Sequence, residues 1–199
     1  MNRGLRRAWV AVALVTAIAG CTSATRPATD PPVPVFTAGC PELSAPPFGI
    51  EATGERTDGQ VTLDERKVVG EIVPGAWLDL VICQYPRPSS TRPGIQVDVR
   101  AFRGPNGTAH ATTFADAEQT RTPELYAEYL PVAATGDNGG FAWYDEPDFC
   151  MATHSGNAYV IVAMDPGAGA ASEPDMRKAL RTQLPALTAV MTTVLDALR

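Results

Sequence analysis

Two residues with the chemistry of a metal ligand or a nucleophile, Cys150 and His154, stand four positions apart. On a helix or turn that spacing suits one metal ion. On a strand it separates the pair by about 13 Å, at roughly 3.3 Å per residue. That is too far for two ligands of one zinc or for an imidazole to reach a thiol. Residues 149–153 and 158–164 read as a hairpin around Ser155-Gly156-Asn157, so the strand spacing applies. His110 is the only other histidine, which leaves zinc short of donors. Ser155 follows His154 directly, but no Gly-x-Ser-x-Gly turn lifts a serine above a sheet, and the hairpin accounts for Ser155. Asp145, Glu146 and Asp148 are three nearby carboxylates without the regular ligand spacing and glycine turn of an EF-type calcium loop; they read as a solvated turn. Gly136, Gly139 and Gly140 precede neither Gly-Lys-Ser/Thr nor a helix, so they are not a phosphate cradle. Asn106-Gly107-Thr108 fits a glycosylation sequon and reads as a turn. No catalytic residue, metal ligand or cofactor is expected, and the chain is expected not to be an enzyme. Trp77, Tyr85, Trp143, Tyr144 and Tyr159 lie on or beside expected strands. Most belong to a core, and a minority to a groove for a sugar, lipid or peptide.

A different reactive residue, Cys21, sits at the end of a leader. Arg3, Arg6 and Arg7 form a positive start, and residues 8–19 are apolar apart from Thr16. That run of about a dozen residues is too short for a hydrocarbon core of about 30 Å and has the length of a signal-peptide core. Ile18-Ala19-Gly20-Cys21 resembles a lipobox, in which the cysteine thiol is acylated and the preceding peptide bond is cut. Residues 1–20 are therefore expected to be a lipoprotein signal peptide. Residues 21–38 are expected to be the lipidated cysteine and a tether rich in proline and threonine, and residues 39–199 a single domain. Each buried acyl methylene contributes about 0.8 kcal/mol, and two or more chains anchor stably. Pro27, Pro31, Pro32 and Pro34 make the tether stiff, with a reach of up to roughly 50 Å.

The leader holds three of the 16 basic residues and none of the 22 acidic ones, so the remaining 179 residues carry a formal charge of −9. So acidic a domain is a poor nucleic-acid ligand, and an anionic membrane repels it, which leaves the lipid to hold it there. Without Cys21, three cysteines remain: Cys40, Cys83 and Cys150. Export favours pairing, and three cannot all pair within one chain. Cys40–Cys83 is the expected disulfide, tying the start of the domain to an early strand; Cys83–Cys150 is the competing pair. Cys150, between Phe149 and Met151, fits a buried inert thiol.

The elements that would position these residues follow from patterning. Pro41-Glu42-Leu43 opens a helical turn that Pro46 and Pro47 end. Residues 54–59 read as a polar turn, and 61–72 fit neither helix nor strand cleanly. Residues 77–85 alternate as a strand, as do 95–102, and the two are expected to pair antiparallel. Residues 113–129 have helical character interrupted by Pro123. Residues 141–144 form a short aromatic strand before the hairpin. Ser172, Pro174 and Asp175 mark a helix start, and Met176, Leu180, Leu184, Leu187, Met191, Val194 and Leu198 form one apolar stripe. Pro185 falls inside it, so a kinked helix or two abutting ones is expected. The fold class is α+β: an antiparallel sheet of about five strands packed by a long C-terminal helix and a middle helical segment.

Taken together, Cys40-Pro41-Glu42-Leu43, Val81-Ile82-Cys83-Gln84-Tyr85, Phe141-Ala142-Trp143 after a turn rich in glycine and aspartate, Cys150, Tyr159-Val160-Ile161-Val162 and an Ala/Leu-rich final helix form an ordered set. Behind a lipobox and a proline tether, this set resembles the small secreted actinobacterial lipoproteins of the type called domain of unknown function 3558, over residues 38–199. The resemblance implies a cell-envelope location, no established activity and no catalytic residues to carry over. The expected role is a non-catalytic binding or scaffolding one at the outer face of the cell membrane, held by acyl chains on Cys21. The partner is expected to be an envelope protein or a small apolar ligand. The alternatives are a carrier of a small apolar ligand or lipid, and an enzyme centred on Cys150.

Overall fold

A computed structural model describes residues 35–88, 90–126, 128–133, 135–167 and 176–199. The expected signal peptide, the lipidation of Cys21, the tether up to residue 34 and the helix start at Ser172, Pro174 and Asp175 lie outside the described residues.

One antiparallel sheet runs through the molecule. Its strands are β1 (Glu55–Gly59), β2 (Leu78–Pro86), β3 (Pro93–Phe102), β4 (Tyr129–Val132), β5 (Gly140–Asp145), β6 (Asp148–Ser155) and β7 (Ala158–Met164). The spatial order is β1-β2-β3-β7-β6-β5-β4. The sheet thus has seven strands rather than about five, and the two additional ones are both edges. β1 occupies what reads as a polar turn, and its burial is slight along its whole length. Such a strand has no buried face to impose alternation. β4 begins at Tyr129, the last residue of the segment with helical character, and covers residues for which no element is expected; it is four residues long and contains Pro131, a residue that sheets tolerate at an edge.

Both faces of the sheet are covered. On one face Val81, Cys83, Tyr85, Ile95, Val97, Val99, Met151, Val160, Val162 and Met164 are buried, most of them completely. Helix α3 (Met176–Ala197) lies over the β5–β6–β7 half of this face. Leu180, Leu187, Met191 and Val194 of the expected stripe are fully buried there, and Leu184 and Leu198 pack at its margin. The helix runs through Pro185 as one element rather than two abutting ones. Pro185 is exposed, so the carbonyl that loses its intrahelical donor lies on the solvent side.

The β2–β3 half of the same face is covered by irregular chain, residues 35–52. Val35, Phe36, Leu43 and Ile50 join the core cluster there. Cys40 is joined to Cys83, with a Cα–Cα distance of 5.7 Å, so the expected pair forms and Cys150 remains a free buried thiol. The Tyr85 hydroxyl donates to the Pro41 carbonyl at 2.7 Å, and Arg56 donates to the Val35 and Phe36 carbonyls at 2.8 and 2.7 Å. Gly94 is required beneath this segment, because a Cβ there would come within 2.4 Å of Ile50.

On the opposite face lie helices α1 (Leu63–Ile72) and α2 (Gly107–Leu125). α1 resolves the ambiguous stretch 61–72. Thr62 caps it, accepting from the Glu65 N–H at 3.2 Å, while the Glu65 carboxylate accepts from the Thr62 N–H at 3.0 Å. α2 begins at Gly107 rather than near 113, and Pro123 falls in its last turn. A side chain at Gly107 would come within 2.5 Å of the Phe102 carbonyl oxygen, so only glycine lets the helix start this close to β3.

The disulfide closes a loop of 43 residues, which in the chain-entropy account stabilises the fold by about 4 kcal/mol. A chain carrying Cys40→Ala and Cys83→Ala should lose stability of that order in urea unfolding. A loss below about 1 kcal/mol would mean that the remaining bonds of residues 35–52 suffice.

Candidate functional site

The α1/α2 face of the sheet carries the residues with chemical potential. Cys150, Ala152 and His154 alternate along β6 on this face, opposite Ala163, Ile161 and Tyr159 of β7. The strand continues through Ser155, so Cys150 and His154 stand two pleats apart, as their strand spacing requires. His154 is buried, and its Nε2 lies 3.3 Å from the Thr112 hydroxyl of α2. His110 is on α2, edge-on to Phe102. Ser155 closes the strand, and Gly156 and Asn157 form the turn into β7. The structure does not bring these groups together into a nucleophile and base, and among the described residues no cluster of three His, Cys, Asp or Glu can hold a metal ion.

Cys150 lines a depression of about 290 Å³ together with Trp143, Tyr126, Arg100, Arg121 and Asp148. Its thiol is 5 % exposed. Burial pushes its pKa far above the ordinary thiol value, and the nearby carboxylates Asp145, Asp148 and Asp98 push it further. A thiol so held is almost never a thiolate and is a poor nucleophile. The charged groups around it are also paired. Arg100 pairs with Glu65 at 2.8 Å, Arg121 with Glu118 at 3.2 Å, and Arg92 with Asp148 at 2.9 Å. The Tyr126 hydroxyl donates to Asp145 at 3.2 Å. Asp145 and Asp148 are register partners at the β5–β6 hairpin, with Glu146 and Pro147 as its turn, so the acidic trio is a hairpin end.

The glycine-rich stretch is structural. The Thr153 hydroxyl lies 2.9 and 2.8 Å from the Thr135 and Gly139 carbonyls and shares its one proton between them, and the Asp137 carboxylate accepts from the Gly156 N–H at 2.7 Å. A Cβ on Gly136 would overlap Thr153, so this loop is glycine because it lies flat against β6.

The larger depression was not read from the sequence as a site. A groove of about 690 Å³ lies between α1 and the β1–β2 edge. Its floor is Val69 of α1 with Ala76, Leu78 and Leu80. The chain enters α1 from β1 through Gln60 and Val61, and returns to β2 through Gly75, whose φ of 76° a side chain would resist. Trp77 forms part of the wall and is 39 % exposed, while its backbone carbonyl accepts from the Arg103 N–H at 2.7 Å. Arg103 is ion-paired with Asp79, and its Nε–Oδ2 distance is 2.9 Å. Arg66 and Gly70, four residues apart on α1, complete the lining. Of these residues only Trp77 stood among the aromatic candidates. The others carry no motif, and what creates the groove is the reversal of the chain at Pro74 and Gly75. The Thr62–Glu65 capping box was the available signal for α1, since a helix starting there places Arg66, Val69 and Gly70 on one side.

Compared with protein-family models, with curated proteins and with solved structures, the chain matches none of them.

Two predictions follow from the electrostatics. Iodoacetamide should leave Cys150 unmodified in the folded chain and label it in denaturant; native labelling at the rate of an exposed thiol would contradict the burial. Burial also pushes the Asp98 carboxyl up, against a hydrogen bond from Gln96 and the charge of Arg100. A raised folded pKa favours the fold only below the unfolded value of about 3.9, and the benefit is lost as pH rises through the folded value. Asp98→Asn should therefore raise the melting temperature at pH 7, and the gain should vanish near pH 3.5 in paired melts of the two proteins.

Proposed function

We propose that the chain is a lipid-anchored protein of the cell envelope, on the extracytoplasmic face of the cell membrane, whose domain binds a partner and performs no catalysis. One contrast carries this reading. The reactive group that sequence reasoning singles out, Cys150, is shut away with its thiol pushed up, whereas an open groove with an apolar floor and the half-exposed Trp77 faces solvent. Buried thiols are inert, and open concave surfaces with a few polar groups bind. The acidic balance argues against nucleic acid as the partner. An envelope protein or a small apolar ligand fits the lining better.

Anchoring rests on Ile18-Ala19-Gly20-Cys21 behind an arginine-flanked apolar run. Among the described residues no helix is long and apolar enough to cross a membrane, so acyl chains on Cys21 are the means of attachment in this reading. The same reading includes the kinship with actinobacterial lipoproteins of the domain of unknown function 3558 type.

Cys21→Ala should abolish incorporation of a palmitate analogue and move the protein out of the membrane fraction. A variant that stays firmly membrane-bound through a carbonate wash would overturn the anchor.

A further inference from the structure

The groove between α1 and β2 has a chemical asymmetry that narrows its occupant. Its floor, Val69, Leu78 and Leu80, is apolar, and Trp77 offers an exposed indole beside it. Gly70 lines the groove and a Cβ there would meet nothing within 4 Å, so the helix surface at this point is bare and open. One turn earlier on α1, Arg66 is exposed and has no side-chain partner among the described residues, whereas Arg103 across the groove is tied to Asp79. An unpaired cation at the rim of an apolar trough stands out in a chain of net charge −6.

We propose that this groove binds a single-chain amphiphile with a carboxylate head. The hydrocarbon chain lies over Val69, Leu78 and Leu80 and against the Trp77 ring, and the carboxylate meets the Arg66 guanidinium. The proposal rests on the binding role given above and names its ligand class. The volume of about 690 Å³ falls within the range of about 300–1,000 Å³ usual for small-molecule sites. A wholly apolar ligand would leave Arg66 unused at the open side. A polyanion would find, among the described residues of the groove, one cation without a partner, with the Asp79 carboxylate beside it. A single negative head on an apolar tail matches both halves of the lining.

The test is titration of the full-length chain with dodecanoate below its micelle concentration, followed by tryptophan emission. Trp143 is 8 % exposed and lies outside the groove lining, and Trp9 lies in the leader, so Trp77 is the reporter. The expected result is a saturable change that is lost in Trp77→Phe. Dodecanol, with the same tail and no charge, should bind about two- to fivefold more weakly, the factor an exposed ion pair supplies. Arg66→Gln should bring dodecanoate down to the dodecanol level. Gly70→Leu puts an isobutyl side chain on the open helix surface that lines the groove and improves helix propensity, so it should abolish binding in a chain whose circular dichroism and melting are intact. A non-saturating response, equal binding of dodecanoate and dodecanol to the unaltered chain, or wild-type binding by Gly70→Leu would each overturn the proposal. None of these outcomes bears on the fractionation of Cys21→Ala, so failure of the ligand class and failure of the anchor are told apart.

Discussion

The fold depends on covering both faces of one sheet. Valine, isoleucine and methionine of β3, β6 and β7 point to one side, while Phe102, Phe141, Trp143, Cys150 and Tyr159 point to the other. Neither face can be left to water, since each large apolar side chain buried contributes about 1.5–3 kcal/mol. α3 is too narrow to cover the first face alone and lies over β5, β6 and β7. The remaining half, over Val81, Cys83, Tyr85, Ile95 and Val97, is closed by chain that is irregular apart from a 3-10 turn at Pro47–Gly49. That chain adopts left-handed backbone at Phe36, Ala45 and Phe48, a conformation costly for residues with side chains. It persists because the Cys40–Cys83 bond, the Tyr85 hydroxyl and Arg56 hold it at separate points. The disulfide is therefore the means by which an irregular cover stays on a regular surface.

The other face is organised by one cation. Arg100 projects from β3 between the two helices. It pairs with Glu65 at the start of α1 and lies about 6 Å from the ring centres of Phe114 on α2 and Tyr159 on β7. Burial alone would raise the Glu65 pKa, but the Thr62 backbone N–H and Arg100 outweigh it, and the carboxyl is held below its ordinary value. Glu65 thus serves twice, closing the cap of α1 and fixing that helix to β3. With α1 fixed there, and with Val69 and Val73 packed in the same cluster as Leu78, the groove lies beside the helix where the chain returns to β2 through Pro74 and Gly75.

What could be read from the sequence follows the same physics. The five inner strands and α3 announce themselves because burial imposes period: Ile95, Val97, Val99 and Ala101 on one side of β3, and Leu180, Leu187, Met191 and Val194 along α3. The edges β1 and β4 escape because Glu55, Arg56, Thr57 and Asp58 put no apolar side chain into a core and Pro131 speaks against a strand. Pro185 suggests a break that does not occur, because at an exposed position the unpaired carbonyl can be solvated. The start of α2 is hidden in what looks like a free turn, since the need for Gly107 lies in its contact with Phe102, far from any helical pattern. Expected export and an odd number of cysteines beyond Cys21 point to one disulfide and one free thiol, but leave Cys83–Cys150 open beside the preferred Cys40–Cys83, which the structure forms. The groove was not legible, because it is formed by the relative placement of α1 and β2, and its one local sign was the Thr62–Glu65 cap.

This distinction also separates reactivity from recognition in the molecule. Chemistry requires a few groups brought within hydrogen-bond distance, and the groups that look reactive here are each taken up by the fold: His154 by Thr112, Thr153 by the Thr135–Gly139 loop, Asp145 by Tyr126, and Cys150 by its own burial. Recognition requires surface that the fold leaves unused. Trp77 and Arg66 meet that condition on the same groove: the one gives up part of its burial and the other makes no ion pair among the described residues. An indole left 39 % exposed forgoes part of the stabilisation its burial would supply. An apolar occupant of the groove would recover it.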